Sequence, residues 1–149
     1  MNKHLVILKP QSLAKILNGS KTIESRFGIH RPPAWKCQAG DVLFLKETGG
    51  NITATAEVVR VDRYHDLDTI ALLSLQPRYA RQVHGRENNL RYWLDASKRG
   101  VRYAVFIHLT NVKVRVIPAS DLPRNLPYAS AWITPFEPPA IGQLPLPQP

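Results

Sequence analysis

Cys37 is the only cysteine in 149 residues, so no disulfide can close within the chain and no cysteine-based zinc site can be built. A single thiol suits a reducing compartment, and a cytoplasmic location is the expectation. The five histidines, His4, His30, His65, His84 and His108, are scattered without metal-ligand spacing, so neither metal nor cofactor is expected. No apolar run approaches the roughly eighteen residues that a membrane helix needs. The apolar run before Lys9-Pro10 is also too short for a signal peptide. A phosphate-binding glycine loop, a dinucleotide fingerprint and a Ser-His-Asp arrangement are all lacking. Acids are scarce too: eleven Asp and Glu face twenty Lys and Arg, a net charge of +9 with a pI near 10.1. That excess favours polyanions, because each neutralised phosphate releases counterions. With no basic amphipathic helix bearing a broad apolar face, a membrane surface is not the expected partner.

What is present reads as one globular domain followed by a proline-rich extension. Hydrophobic residues make up 44% of the chain, enough for a single core. Residues 4–8 form a buried strand, and Pro10 opens a helix that carries Leu13, Ile16 and Leu17 on one side and ends at Gly19. Further strands are predicted over 21–27, 41–47 and 52–62, with Thr48-Gly49-Gly50-Asn51 as a hairpin turn and 28–38 as a loop. Residues 66–100 turn helical, in pieces interrupted at Pro77, with helices expected from about Tyr79 to Val83 and from Glu87 to Ser97. Strand character returns over 101–116, with Asn111 as a bend between two strands. The fold class is therefore α+β: a small, partly closed β-barrel of about six strands, with an N-terminal helix and an inserted helical segment. The domain spans 1–117; residues 118–149 are a Pro-rich extension, expected to be partly packed with a disordered end.

The most informative run is Gly19-Ser20-Lys21-Thr22-Ile23-Glu24-Ser25-Arg26. On an extended segment, alternation sends Glu24 and Arg26 to one face and Lys21, Ile23 and Ser25 to the other. Gathering a lysine, a carboxylate and an arginine at one strand entry is costly unless they face a cleft. The competing reading is an internal ion-pair network that fixes strand to helix. Together with Lys9-Pro10 and Ala14-Lys15-Ile16-Leu17-Asn18-Gly19, these residues resemble the ASCH domain family, whose hallmark reads G-x-K-x-x-E-x-R. That family is a branch of the PUA-like superfamily of small β-barrels that handle RNA and modified bases. Gly40-Asp41-Val42-Leu43-Phe44-Leu45 and Ala54-Thr55-Ala56-Glu57-Val58 look like its next two strands, so the resemblance covers roughly residues 4 to 110.

The resemblance implies a cleft between barrel and first helix, lined by Lys21, Glu24 and Arg26 with Lys9 close by, that binds RNA or a modified nucleoside. It also implies an alternative, a cofactor-independent hydrolase of the amidohydrolase or ribonuclease type, acting on N4-acylated cytidine or on RNA. Some members hydrolyse N4-acetylcytidine with a Lys-Thr-Glu set. Here Glu24 occupies the position of the threonine nucleophile, and Thr22 sits on the face opposite Lys21. In that alternative Lys21 is the activating base and Glu24 the proton shuttle, with Glu47 or Glu57 as the second carboxylate.

Two further groups carry binding chemistry. Arg78, Arg81, Arg86, Arg91, Lys98 and Arg99 interleave with Tyr79, His84, Tyr92 and Trp93, a mixture that suits the phosphates and unpaired bases of single-stranded nucleic acid. The alternative is solvated arginines beside packing aromatics. Trp35 either overhangs the cleft and stacks on a base or anchors its own loop. The Pro-rich tail offers a docking segment for a protein partner.

Overall fold

The computed structural model describes residues 1–85 and 89–140. Six strands form one sheet: β1 (Lys3–Leu8), β2 (Ile23–Gly28), β3 (Val42–Glu47), β4 (Ile52–Tyr64), β5 (Tyr103–Ile117) and β6 (Trp132–Ile133). Their order is β2-β5-β4-β3-β1-β6, with β1 and β3 parallel and the remaining pairs antiparallel. Helices α1 (Pro10–Leu17), α2 (Thr69–Ser74), α3 (Gln76–His84) and α4 (Leu90–Lys98) complete the α+β fold.

Local chemistry accounts for the element ends. Pro10 starts α1, where a missing N–H costs nothing, and Leu13 and Ile16 bury its inner face. Asp68 caps α2 by accepting from the Ala71 N–H, and Pro77 lies in the first turn of α3 rather than simply ending a helix. Asn89 caps α4 through the Tyr92 N–H, so that helix begins at Leu90, later than its pattern predicts. Asn111 adopts φ +50 at a register shift in the β4–β5 pairing, between the Glu57–Thr110 and Thr55–Lys113 pairs, but the strand continues through it, so the two strands expected over 101–116 are one long, bulged β5. The sixth strand comes instead from the Pro-rich extension, as β6 alongside β1.

Alternation along β5 splits the core. Val105 and Ile107 point into the curled sheet with Val6, Leu43 and Leu45, whereas Ala104 and Phe106 face the helical insertion. There Tyr79 stacks on Phe106 at 3.8 Å and 1°, and the fully buried Trp93 ring lies 6.0 Å from Phe106 at 15°. The insertion thus covers one outer face of the sheet. At the open seam, Arg26 of β2 donates to the carbonyls of Ile7 on β1 and Ala131 just before β6, at 3.3 and 3.4 Å. The sheet is a half-barrel whose two edges are bridged by one guanidinium.

Candidate functional site

Beside that seam lies a cleft of about 790 Å³. Lys9, Lys21, Glu24 and Arg26 all line it, together with Arg99 from the end of α4. Gly19, at φ +83, turns the chain out of α1, and the Lys21 N–H then returns to the Lys15 carbonyl. Lys21 therefore precedes β2 instead of belonging to it. This corrects the alternation argument: Lys21 does not face away from Glu24, and its Nζ lies 3.8 Å from Glu24 Oε2.

The three charges are close but incompletely paired. Arg26 Nε is 3.6 Å from Glu24 Oε1, and Lys21 Nζ donates to the Val83 carbonyl at 2.8 Å. Glu24 Oε2 and Arg26 Nε are buried, and neither has a hydrogen-bond partner among the described residues. A buried carboxylate oxygen in that state carries a desolvation penalty that an incoming donor would relieve. Burial also pushes the Lys21 ammonium below its ordinary value; Glu24 opposes that shift, while Arg26 and Lys15 add to it. Cations dominate the rim: Lys9, Lys15, Lys21, Arg26 and Arg99 face the single carboxylate of Glu24 among the described lining residues.

Ser25 and Phe27 carry no sequence signal for binding yet line the cleft, and Tyr92 and His84 of the basic insertion reach it too. Ser25 Oγ and Tyr92 Oη are 2.9 Å apart, Phe27 and Tyr92 rings meet at 5.1 Å, and His84 meets Tyr92 at 5.0 Å. Burial raises the Tyr92 hydroxyl above its ordinary value, with the Ser25 bond opposing, so the hydroxyl stays neutral. Because β2 is an edge strand, the cleft wraps around its free side and collects residues from both faces, Glu24 and Arg26 as well as Ser25 and Phe27. No periodicity rule reveals that. The helical insertion borders the cleft through Val83, His84, Asn89 and Tyr92.

Other predicted residues lie elsewhere. Trp35 does not overhang this cleft; it lines a separate depression with Arg31, because the short 3₁₀ turn Pro33–Lys36 carries it to the other side of residues 127–132. Arg78, Arg81, Arg91 and Lys98 are exposed on the insertion and line none of the cleft, and the Arg78 guanidinium sits over Tyr79. Arg86 lies outside the described residues. Thr22 is exposed and does not line the cleft. Glu47 and Glu57 also stand apart from it among the described residues.

His4, Cys37 and Asp41 form a buried trio with ligand atoms within 4.8 Å of one another. Both ring nitrogens of His4 are engaged, one with Asp41 at 2.8 Å and the other accepting from Trp132 Nε1 at 3.2 Å. Burial pushes the Cys37 thiol up to about 12, leaving it protonated. The donor set does not fit a metal ion, which needs deprotonated thiol and free imidazole nitrogen.

No protein-family model and no curated protein matches the sequence. Among solved structures, the ASCH protein of Zymomonas mobilis superposes with a TM-score of 0.61 at 19% identity, over 80% of this chain and 75% of that one. The chain has the ASCH-domain fold. A tyrosine-to-phenylalanine variant of the same protein matches equally well, with a TM-score of 0.61 at 20% identity over 80% and 78% of the two chains. The ASCH fold places the G-x-K-x-x-E-x-R run of this chain at the cleft between sheet edge, α1 and insertion.

Proposed function

We propose that the cleft of this ASCH-fold protein binds a nucleobase, in RNA or as a modified nucleoside within it. The observation that carries this reading is the buried Oε2 of Glu24, which has no hydrogen-bond partner among the described residues although Lys21 Nζ stands 3.8 Å from it and Arg26 Nε 3.6 Å from the companion Oε1, inside an open cleft. A carboxylate there accepts from an exocyclic amine, Lys21 and Arg26 donate to a ring carbonyl, and Phe27 and Tyr92 supply an aromatic wall. Lys9 and Arg99, two further cations lining the cleft, contact phosphates in this reading.

Anisotropy titrations of labelled single-stranded RNA at several salt concentrations test the reading. Affinity falls with salt, and Lys9→Ala lowers the slope by about one. Glu24→Gln weakens binding about ten- to a hundredfold, the cost of a charge-assisted hydrogen bond. A salt-independent or absent signal would overturn the proposal.

The depressed Lys21 ammonium beside a carboxylate favours a second reading, hydrolysis of N4-acylated cytidine or of RNA. Lys21 would act as the base and Glu24 as the shuttle. Incubation with N4-acetylcytidine and with labelled RNA, in parallel with Lys21→Ala, decides it. Turnover no higher than that of the variant removes the hydrolase.

A further inference from the structure

Trp35, which the first cleft does not use, stands in a hollow of its own of about 540 Å³. We propose that this hollow is a second nucleotide subsite, taking a base that follows the one held at Glu24 in single-stranded RNA; the inference rests on the cleft reading above. Of the three tryptophans, Trp93 and Trp132 are 0% and 2% exposed, whereas Trp35 is only half-buried. The exposed guanidinium of Arg31 lies 5.3 Å from its ring centroid, and Tyr103 meets it edge-on at 88°. A planar cation parked on an indole marks a face that a base can share or take over. Arg31 and Lys36 provide positive charge, and no carboxylate is among the described residues lining the hollow, so the surface complements a phosphate backbone.

Continuity with the first cleft fixes the occupant. The segment 127–132 forms a wall common to both hollows: Ala129 and Ala131 face the Glu24 cleft, whereas Pro127, Ser130 and Trp132 face the Trp35 hollow. Arg26 ties the two together, since it pairs with Glu24 on one side and its guanidinium lies 5.4 Å from the Trp132 ring. A strand crossing this wall meets an acceptor and donors for one base, then an aromatic platform for another. A lone nucleoside would engage only the first.

The test uses the full chain, a fluorescein-labelled random-sequence RNA octamer read by anisotropy, and mixed nucleoside 5′-monophosphates as competitors. Trp35→Ala weakens the octamer about tenfold or more, as loss of one stacked base predicts, and leaves mononucleotide competition unchanged. Arg31→Ala, at an exposed position, weakens the octamer in the same direction, with a thermal melt showing that the variant is folded. Glu24→Gln weakens both probes. An octamer affinity untouched by Trp35→Ala and Arg31→Ala overturns the subsite while the cleft reading stands. Equal loss of both probes in Arg31→Ala also overturns it. Failure of the unaltered chain to bind either probe defeats the cleft reading and the subsite together.

Discussion

Asp41 is 2% exposed and accepts from the backbone N–H groups of Asn2 and Gln38, while its other contact is His4 Nε2 at 2.8 Å. Burial alone would raise its pKa, but these hydrogen bonds outweigh it and hold the carboxyl below its ordinary range. A depressed carboxylate contributes stability that is present above its unfolded value, about 3.9, and is lost as pH falls through the folded one. Asp41→Asn presents a donor where donors already converge and costs about 2 kcal/mol at neutral pH, measured by urea unfolding. Below about pH 4 the gap between variant and parent narrows. A constant gap from pH 7 to 3 would contradict this account. Lys21 has the opposite logic. Its depressed ammonium penalises the fold in full at every pH below that lowered value, and the penalty fades only as pH rises to the unfolded value, about 10.4, a cost that suits a group held for a ligand.

At the scale of elements, the C-terminal end of α3 connects the insertion to the cleft. Its last carbonyls are held from outside: Thr22 N–H donates to Gln82, Lys21 Nζ to Val83 and Lys15 Nζ to His84. Cations at that end also complement the helix dipole. The chain leaves α3 through Gly85 at φ +73 and ψ −136, where an added Cβ would also meet Ser20 Oγ at 3.2 Å. Gly85→Ala therefore destabilises by about 1–3 kcal/mol. Because Gly85 follows closely on the Val83 and His84 carbonyls that hold Lys21 and Lys15, and an added Cβ would press on Ser20 next to Lys21, RNA affinity drops along with the melting temperature. Thermal melts and anisotropy on the same samples check both, and unchanged values for both would refute the coupling. Elements such as α1 were readable from Pro10 and Gly19, whereas the register that sets α3 against Lys21 was not, since contacts 62 residues apart leave no local pattern.

The whole molecule depends on its extension. Leu122, Ile133 and Phe136 are buried against Leu5, Phe44, Ile52 and Ile117, and Trp132 joins the inner core beside Val6. The Phe136 N–H also donates to the Lys3 carbonyl, closing the edge of β1. Four large side chains at about 1.5–3 kcal/mol each amount to about 6–12 kcal/mol, comparable to the entire stability of a typical domain. A chain ending at Ile117 is expected to lose cooperative urea unfolding, whereas one ending at residue 140 keeps it. A sharp two-state transition in the shorter chain would contradict this.

Strand and helix periods, the glycine-ended α1, the G-x-K-x-x-E-x-R run and the excess of positive charge are all local or compositional, so the chain announces them without its fold. Where Lys21 meets Glu24, where Trp35 goes, and which strand closes the sheet depend on edges and seams brought together across long separations. Arg26 shows why: a guanidinium that reaches Ile7 and Ala131, 19 and 105 residues away, acquires its neighbours only when the sheet curls.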